Sequence, residues 1–225
     1  WLYDDHPNIT NNSLLDIDGR VADDWRVATF SSSSGPLKRP VAMVTFAANH
    51  AMAGEWDRRI LKAVNALLHL ATALLVYLLC REVTRSRLPQ DHSIQVAVAA
   101  AVLWFLHPLH VSTVLYAVQR MAQLSTLVIL LGLFVFMRYR QAWAERGGGV
   151  GVVAASALWL MLLTFLAAFS KENGLLLPWL VIVAEVSLFL GMWAGSVRTP
   201  LVITGWCLLL LPALLLIALP IALPE

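Results

Sequence analysis

Residues 120–140 read RMAQLSTLVILLGLFVFMRYR. From Met121 to Met137 no side chain is ionisable. At 1.5 Å per residue a helix of this length covers roughly 25 Å, near the ~30 Å hydrocarbon core of a bilayer. The stretch reads as a membrane span. The same signal recurs on either side, in Ile60–Cys80, Ile94–Leu106, Val150–Phe169, Gly174–Trp193 and Leu201–Leu223. The second of these is short, and Leu109–Val118 is apolar enough either to extend it or to form a re-entrant turn. The predicted fold is therefore all-α: a polytopic transmembrane helix bundle of about six helices over residues 58–225.

Composition agrees with this reading. Of 225 residues, 59% are hydrophobic and 13% charged, and the mean hydropathy is +0.72. A soluble domain is about 45–50% apolar and about 25% charged. The balance excludes a soluble globular protein, a disordered tail and a nucleic-acid binder. Cys80 and Cys207 both lie in apolar runs and form neither a metal-ligand spacing nor a disulfide framework. The net charge of +2 is small, so the placement of charges matters more than their sum.

Residues 1–57 differ from the rest. They hold Asp4, Asp5, Asp16, Asp18, Asp23, Asp24, Glu55 and Asp57, with turn formers at Pro7-Asn8, Asp18-Gly19 and Ser31 to Pro36. This is the composition of a large loop outside the membrane, with an interfacial, amphipathic helix near Val41–Ala53. Arg81, Arg85 and Arg87, then Arg138, Arg140 and Arg146, then Arg198 occupy alternate connections, which the positive-inside rule assigns to the cytoplasm. The 1–57 loop and the turns at His107–Arg120 and Ser170–Asn173 then share the non-cytoplasmic face, although Lys38, Arg39, Arg58, Arg59 and Lys62 run against the rule. The chain opens on Trp1 and closes on Glu225 at the end of an apolar run. Both are expected to be cuts through a longer protein, with a first span and any C-terminal repeat domain missing.

Four polar clusters converge on that face. Asp4-Asp5 offers paired carboxylates, one able to take a proton while the other orients it or holds charge. An ordinary turn pair is the plain alternative. His107 and His110, three residues apart, lack a visible third ligand, so a metal is not indicated; backbone capping accounts for them as well. Arg120 sits where an apolar span begins, and either snorkels or holds a phosphate by paired N–H bonds. Ser170-Lys171-Glu172-Asn173 is wedged between two long apolar runs, where ionisable groups are costly and often functional. There Lys171 can meet a phosphate with Glu172 fixing its position, unless the segment is a solvated turn. The last cluster holds Lys38-Arg39-Pro40 and Asn49-His50, with Asn65 and His69 on one face of the first span. Interhelical hydrogen bonding explains Asn65 and His69 simply. Glu185, about 16 Å along its helix from Gly174, falls near mid-depth, where it could be protonated, paired or lining a cavity.

Carboxylates and cations beside lipid suit transfer from a lipid-linked phosphate donor. The pieces also come in a familiar order: Tyr3-Asp4-Asp5-His6-Pro7-Asn8-Ile9, Arg39-Pro40 with Thr45 to His50, Asn65 to His69, Leu106 to His110, Gln119-Arg120, and Ser170 to Gly174 with Leu177-Pro178. In this the chain resembles the membrane half of the GT-C-type glycosyltransferases that use polyprenyl-phosphate sugars. Among these it is most similar to the transmembrane-and-tetratricopeptide-repeat O-mannosyltransferase-like proteins and their bacterial relatives. The resemblance implies inverting transfer of a sugar from a polyprenyl or dolichyl phosphate to a protein Ser/Thr hydroxyl. It implies that Asp4 or Asp5 is the general base, without saying which. It also puts Arg120 and Lys171 at the donor phosphate, with His107 and His110 as secondary candidates. Arg39, His50, Glu172 and Asn173 are supporting residues. No cofactor is called for, the lipid-phosphate sugar being a substrate. The expected partners are that donor, an acceptor protein and membrane lipids. The expected site is a bacterial inner membrane with a periplasmic active site, or the endoplasmic reticulum with a lumenal one.

Two other readings remain. A transporter or flippase of lipid-linked sugars would use Glu185 and His69 as pathway groups, but calls for polar residues in both halves of the bundle. A non-catalytic subunit of a larger complex would dock its partner through the 1–57 loop.

Overall fold

The computed structural model describes residues 4–85, 87–146 and 149–189, together with Leu214 and Ala218. Among these residues there is no strand. The helices are α1 (Ala22–Thr29), α2 (Pro40–Ala53), α3 (Arg58–Thr84), α4 (Gln90–Phe105), α5 (His110–Leu115), α6 (Arg120–Arg146), α7 (Val150–Ser170) and α8 (Leu177–Phe189). Short turns of helix at His6–Thr10, Ser13–Leu15, Ala117–Gln119 and Glu172–Leu176 join them. The chain is an all-α polytopic membrane protein. Among the described residues, four segments are long and apolar enough to cross a bilayer: Arg58–Thr84, Ala117–Ala142, Gly151–Ser170 and Glu172–Phe189. At 16 residues α4 spans only about 24 Å.

Local chemistry sets the boundaries. Asp57 caps α3 by accepting the Arg59 N–H at 2.7 Å, which satisfies one orphan donor of the first turn. Pro40 occupies the first turn of α2, where its missing N–H costs nothing. The helix α6 is the axle of the bundle, packed against α3, α7 and α8, while α4 lies along α3. One core joins Ile9, Leu15, Met43, Phe46, Leu61 and Met121, and so ties the N-terminal segment to the start of α6. A second joins Val128, Phe136, Leu163, Leu177 and Val181 deeper in the bundle. Leu67, Leu70, Leu74, Leu103, Leu158, Trp159, Leu162 and Val183 are exposed. Such a surface is costly in water and suits contact with lipid tails.

The structure corrects several boundaries read from the sequence. Arg81 and Glu82 are still within α3, and Arg138, Arg140 and Arg146 belong to α6 rather than to a connection. Hydropathy stops at the first charge, whereas a helix continues wherever its backbone bonds can. A helix does run at Pro40–Ala53, but it is not amphipathic. Asn49 is buried, and Val44 and Met52 are exposed. The run Gly174–Trp193 opens as a tight turn, Glu172–Leu176, before α8. Of the run Leu201–Leu223 all but Leu214 and Ala218 lie outside the described residues, as do Gly147, Gly148, Arg198 and Cys207.

Candidate active site

The acidic pair is not symmetric. Asp5 is only 2% exposed, and its carboxylate accepts the Val118 N–H at 2.8 Å, just before α6 begins. A carboxylate bound to a backbone N–H makes one of the stronger hydrogen bonds. Asp5 therefore pins the N-terminal segment to the mouth of α6. Asp4 is exposed, and among the described residues its carboxylate has no partner.

From this pair a polar network runs across the same end of the bundle. The Asn8 amide donates to the Asp4 carbonyl at 2.9 Å, and the Ser34 hydroxyl donates to Asn8 Oδ1 at 2.6 Å. The loop carrying Ser34 leads to Arg39. Its Nε lies 3.2 Å from each Glu172 oxygen and its Nη2 2.9 Å from Oε2, a fork across 133 positions of chain. Arg39 Nη1 also reaches Met121 Sδ at 3.4 Å. Gly35 makes this closure feasible. Its φ of +82° belongs to the left-handed region, and a Cβ there would stand 2.0 Å from Glu172 Oε1.

Lys171 ends α7 in extended backbone, with its N–H on the Ala167 carbonyl and its own carbonyl accepting Ser125 Oγ. The turn after it folds back so tightly that a Cβ on Gly174 would lie 2.1 Å from the backbone of Ala167 and Ala168. The sequence Ser170-Lys171-Glu172-Asn173-Gly174 thus places Lys171 and exposed Asn173 at a sharp reversal. Glu172 is held by Arg39. The Lys171 ammonium is half-exposed and has no partner among the described residues.

Arg120 is placed otherwise than a ligand-binding guanidinium requires. It is 0% exposed. Four of its five donors are taken: by Asn65 Oδ1 at 3.1 Å, the Thr45 carbonyl at 3.1 Å, Asn49 Oδ1 and the Leu61 carbonyl at 3.1 Å. The guanidinium also lies 4.7 Å from the Phe46 ring centre. Arg120 joins α2, α3 and α6. Asn65 completes the joint by donating to the Tyr116 carbonyl at 2.8 Å. Asn49, which sequence reasoning had grouped with His50, is the partner it had not connected to Arg120.

The histidines separate into two groups. His50 lies 3.1 Å from the Ile17 carbonyl and against Trp56, holding the N-terminal segment to α2. His69 meets the Phe105 carbonyl at 3.0 Å and stacks on Trp104 and Phe105, which makes it an interhelical tie. His110 lies 4.5 Å from Trp104 and 5.1 Å from His69 by ring centres, with exposed His107 beyond it. Partial burial first, then neighbouring His69 and His107, hold the His110 imidazole below its ordinary value. The fold thus favours its neutral imidazole. Among the described residues no cluster of three His, Cys, Asp or Glu could hold a metal.

Glu185 is also committed. It is 0% exposed and receives Arg140 Nε at 2.9 and 3.2 Å, with the guanidinium 4.7 Å from the Phe189 ring centre.

Fold and site together define a polytopic helical membrane protein with an acidic and basic polar end. Over 189 residues the chain is 28% identical to the protein O-mannosyl-transferase TMTC4 of Mus musculus. The match covers 78% of this chain and 25% of that protein, so the chain corresponds to about a quarter of its relative's length. No family model and no solved structure matches.

Proposed function

We propose that this chain is the membrane portion of a glycosyltransferase that moves a sugar from a polyprenyl or dolichyl phosphate to a protein Ser/Thr hydroxyl with inversion. The likeness to an O-mannosyl-transferase supports the class of reaction. The observation that carries the roles is a division of labour at one end of the bundle. Asp5, Arg39, Glu172 and Arg120 are spent on holding segments together, while the Asp4 carboxylate and the Lys171 ammonium have no partner among the described residues.

In this reading Asp4 is the base. It takes the proton of the acceptor hydroxyl as that oxygen attacks the anomeric carbon, and the bond from that carbon to the phosphate oxygen breaks on the opposite side. Negative charge gathers on the departing lipid phosphate, where the Lys171 ammonium offsets it. His107 and His110 can donate N–H groups to the same phosphate. Asp5, Arg39, His50, Glu172 and Asn173 support the site.

The test is transfer of labelled sugar from polyprenyl-phosphate donors to Ser/Thr peptides, using the full-length protein in detergent. Asp4→Asn should abolish transfer at unchanged melting temperature. Lys171→Gln should raise the donor KM. Transfer that survives Asp4→Asn would remove Asp4 as the base.

The transporter reading gains one observation, because Glu82, Arg138, Arg140 and Glu185 place polar groups in the far half of the bundle as well. The Arg140 and Glu185 side chains are paired and 5% and 0% exposed, so they do not line an open path, and Glu82 lies 3.6 Å from Arg138.

A further inference from the structure

At the end of the bundle away from Asp5, a cavity of about 600 Å³ opens between the end of α3, the start of α4 and the second half of α6. Its volume falls within the ~300–1,000 Å³ of ligand sites. Arg81, Arg85 and Arg138 line it, with Glu82 as the acid among them. Three guanidiniums against one carboxylate leave an excess of positive charge.

The Glu82 side chain is buried and draws two of the cations together, with Arg85 Nε at 3.4 Å and Arg138 Nη1 at 3.6 Å from its Oε1. That oxygen has no hydrogen bond among the described residues. The Arg85 and Arg138 side chains are half-exposed, Arg85 Nη2 also donates to Gln141 Oε1, and the Arg81 guanidinium has no partner among the described residues. Like-charged side chains gathered around a single carboxylate are costly unless an anion joins them.

The lining is layered. Leu78 lies four residues before Glu82 in α3, and Phe134 lies four before Arg138 in α6. Four residues is about one helical turn, so each apolar side chain sits beneath its charged neighbour, toward the middle of the bundle. Arg81 is 23 positions beyond Arg58, about 35 Å along α3, which brings the charged layer to the level where headgroups meet the hydrocarbon.

We propose that this cavity binds the phosphate of an anionic phospholipid headgroup, with Arg81 and Arg138 as its donors and the start of the acyl chain over Leu78 and Phe134. Guanidinium forks suit phosphate oxygens, and basic pockets between membrane helices are known lipid sites. A free phosphate shares the charge chemistry but has no use for the apolar layer.

The experiment is native mass spectrometry of the full-length protein in detergent, titrated with phosphatidylglycerol, phosphatidylcholine or inorganic phosphate. Retention of phosphatidylglycerol over phosphatidylcholine is expected. Because the Arg81 guanidinium has no partner among the described residues, Arg81→Gln removes no hydrogen bond or ion pair among them. It should weaken phosphatidylglycerol binding about tenfold at unchanged melting temperature. Phe134→Ala should weaken it further, and inorganic phosphate should compete only at much higher concentration. Equal retention of the two lipids, or unchanged binding in Arg81→Gln, overturns the site. Competition by inorganic phosphate as strong as by the lipid overturns the lipid assignment. Since the site lies far from Asp4, its failure would leave the transfer test standing, and the reverse.

Discussion

Arg120→Ala tests the assignment that most changes how this site is read. If the guanidinium is a joint between helices, the loss appears in stability. Two charge-assisted bonds to the buried Asn65 and Asn49 oxygens disappear, each worth about 1.5–3 kcal/mol. The cation over Phe46 adds about 1 kcal/mol. Removing a buried charge returns several kcal/mol of desolvation, so the terms do not simply add. A net loss of about 3 kcal/mol follows from the two stranded amide oxygens and the lost contact with Phe46. In a chain of this size 1 kcal/mol shifts Tm by about 2–4 °C, so Arg120→Ala should melt roughly 10 °C lower. Arg120→Lys keeps the charge but has three donors and no planar fork, and should lose about half as much. The assay is thermal unfolding of the full-length protein in detergent, with donor KM measured on the surviving fold. Arg120→Ala melting with the native protein, but with a raised donor KM, would refute the joint and return Arg120 to the phosphate.

Two other perturbations follow from the geometry. Glu185→Gln takes the carboxylate charge away from Arg140 inside the bundle and should cost about 3–5 kcal/mol, while the pair Arg140→Met with Glu185→Leu should recover most of it. Melting temperatures decide this, and a double variant no better than the single one would refute the ion pair as the source of the loss. The His110 imidazole is held below its ordinary value in the fold, so unfolding takes up a proton once the pH falls below the unfolded value of about 6.5. Stability should therefore drop with pH below that point and be unaffected by His110 above it. His110→Gln should flatten the drop between pH 7.5 and 5.5, and identical slopes in the two proteins would remove His110 as its source.

The bundle was legible because lipid as solvent leaves a signal in nearly every residue of a span. Asn65 and His69 were legible as an interhelical pair because polar side chains inside a span face protein. Arg120 was not, and the reason is physical. An Arg at the edge of an apolar run looks the same whether it snorkels, binds a phosphate or is buried, and what decides is whether other elements bring acceptors to it. Here the acceptors are Asn49 and Asn65 and two backbone carbonyls on α2 and α3, between 55 and 75 positions away. Arg140 was hidden in the same way, since only α8 reveals that it faces Glu185 and not water.

The consequence reaches the site. A buried cation with four of its five donors committed to a joint cannot offer a substrate the paired fork, so charge stabilisation has to come from a group the fold does not use. Applied to the acidic pair, the same argument separates two residues that are identical in the sequence: the fold uses Asp5, and Asp4 remains. Applied to Lys171 and Glu172, it separates an ammonium with no partner among the described residues from a carboxylate held by Arg39. On this reasoning the chemistry belongs to the side chains that the network positions but does not bond. That is why the proposed roles rest on Asp4 and Lys171, while Asp5 and Arg120 are assigned to holding the mouth of α6 in place.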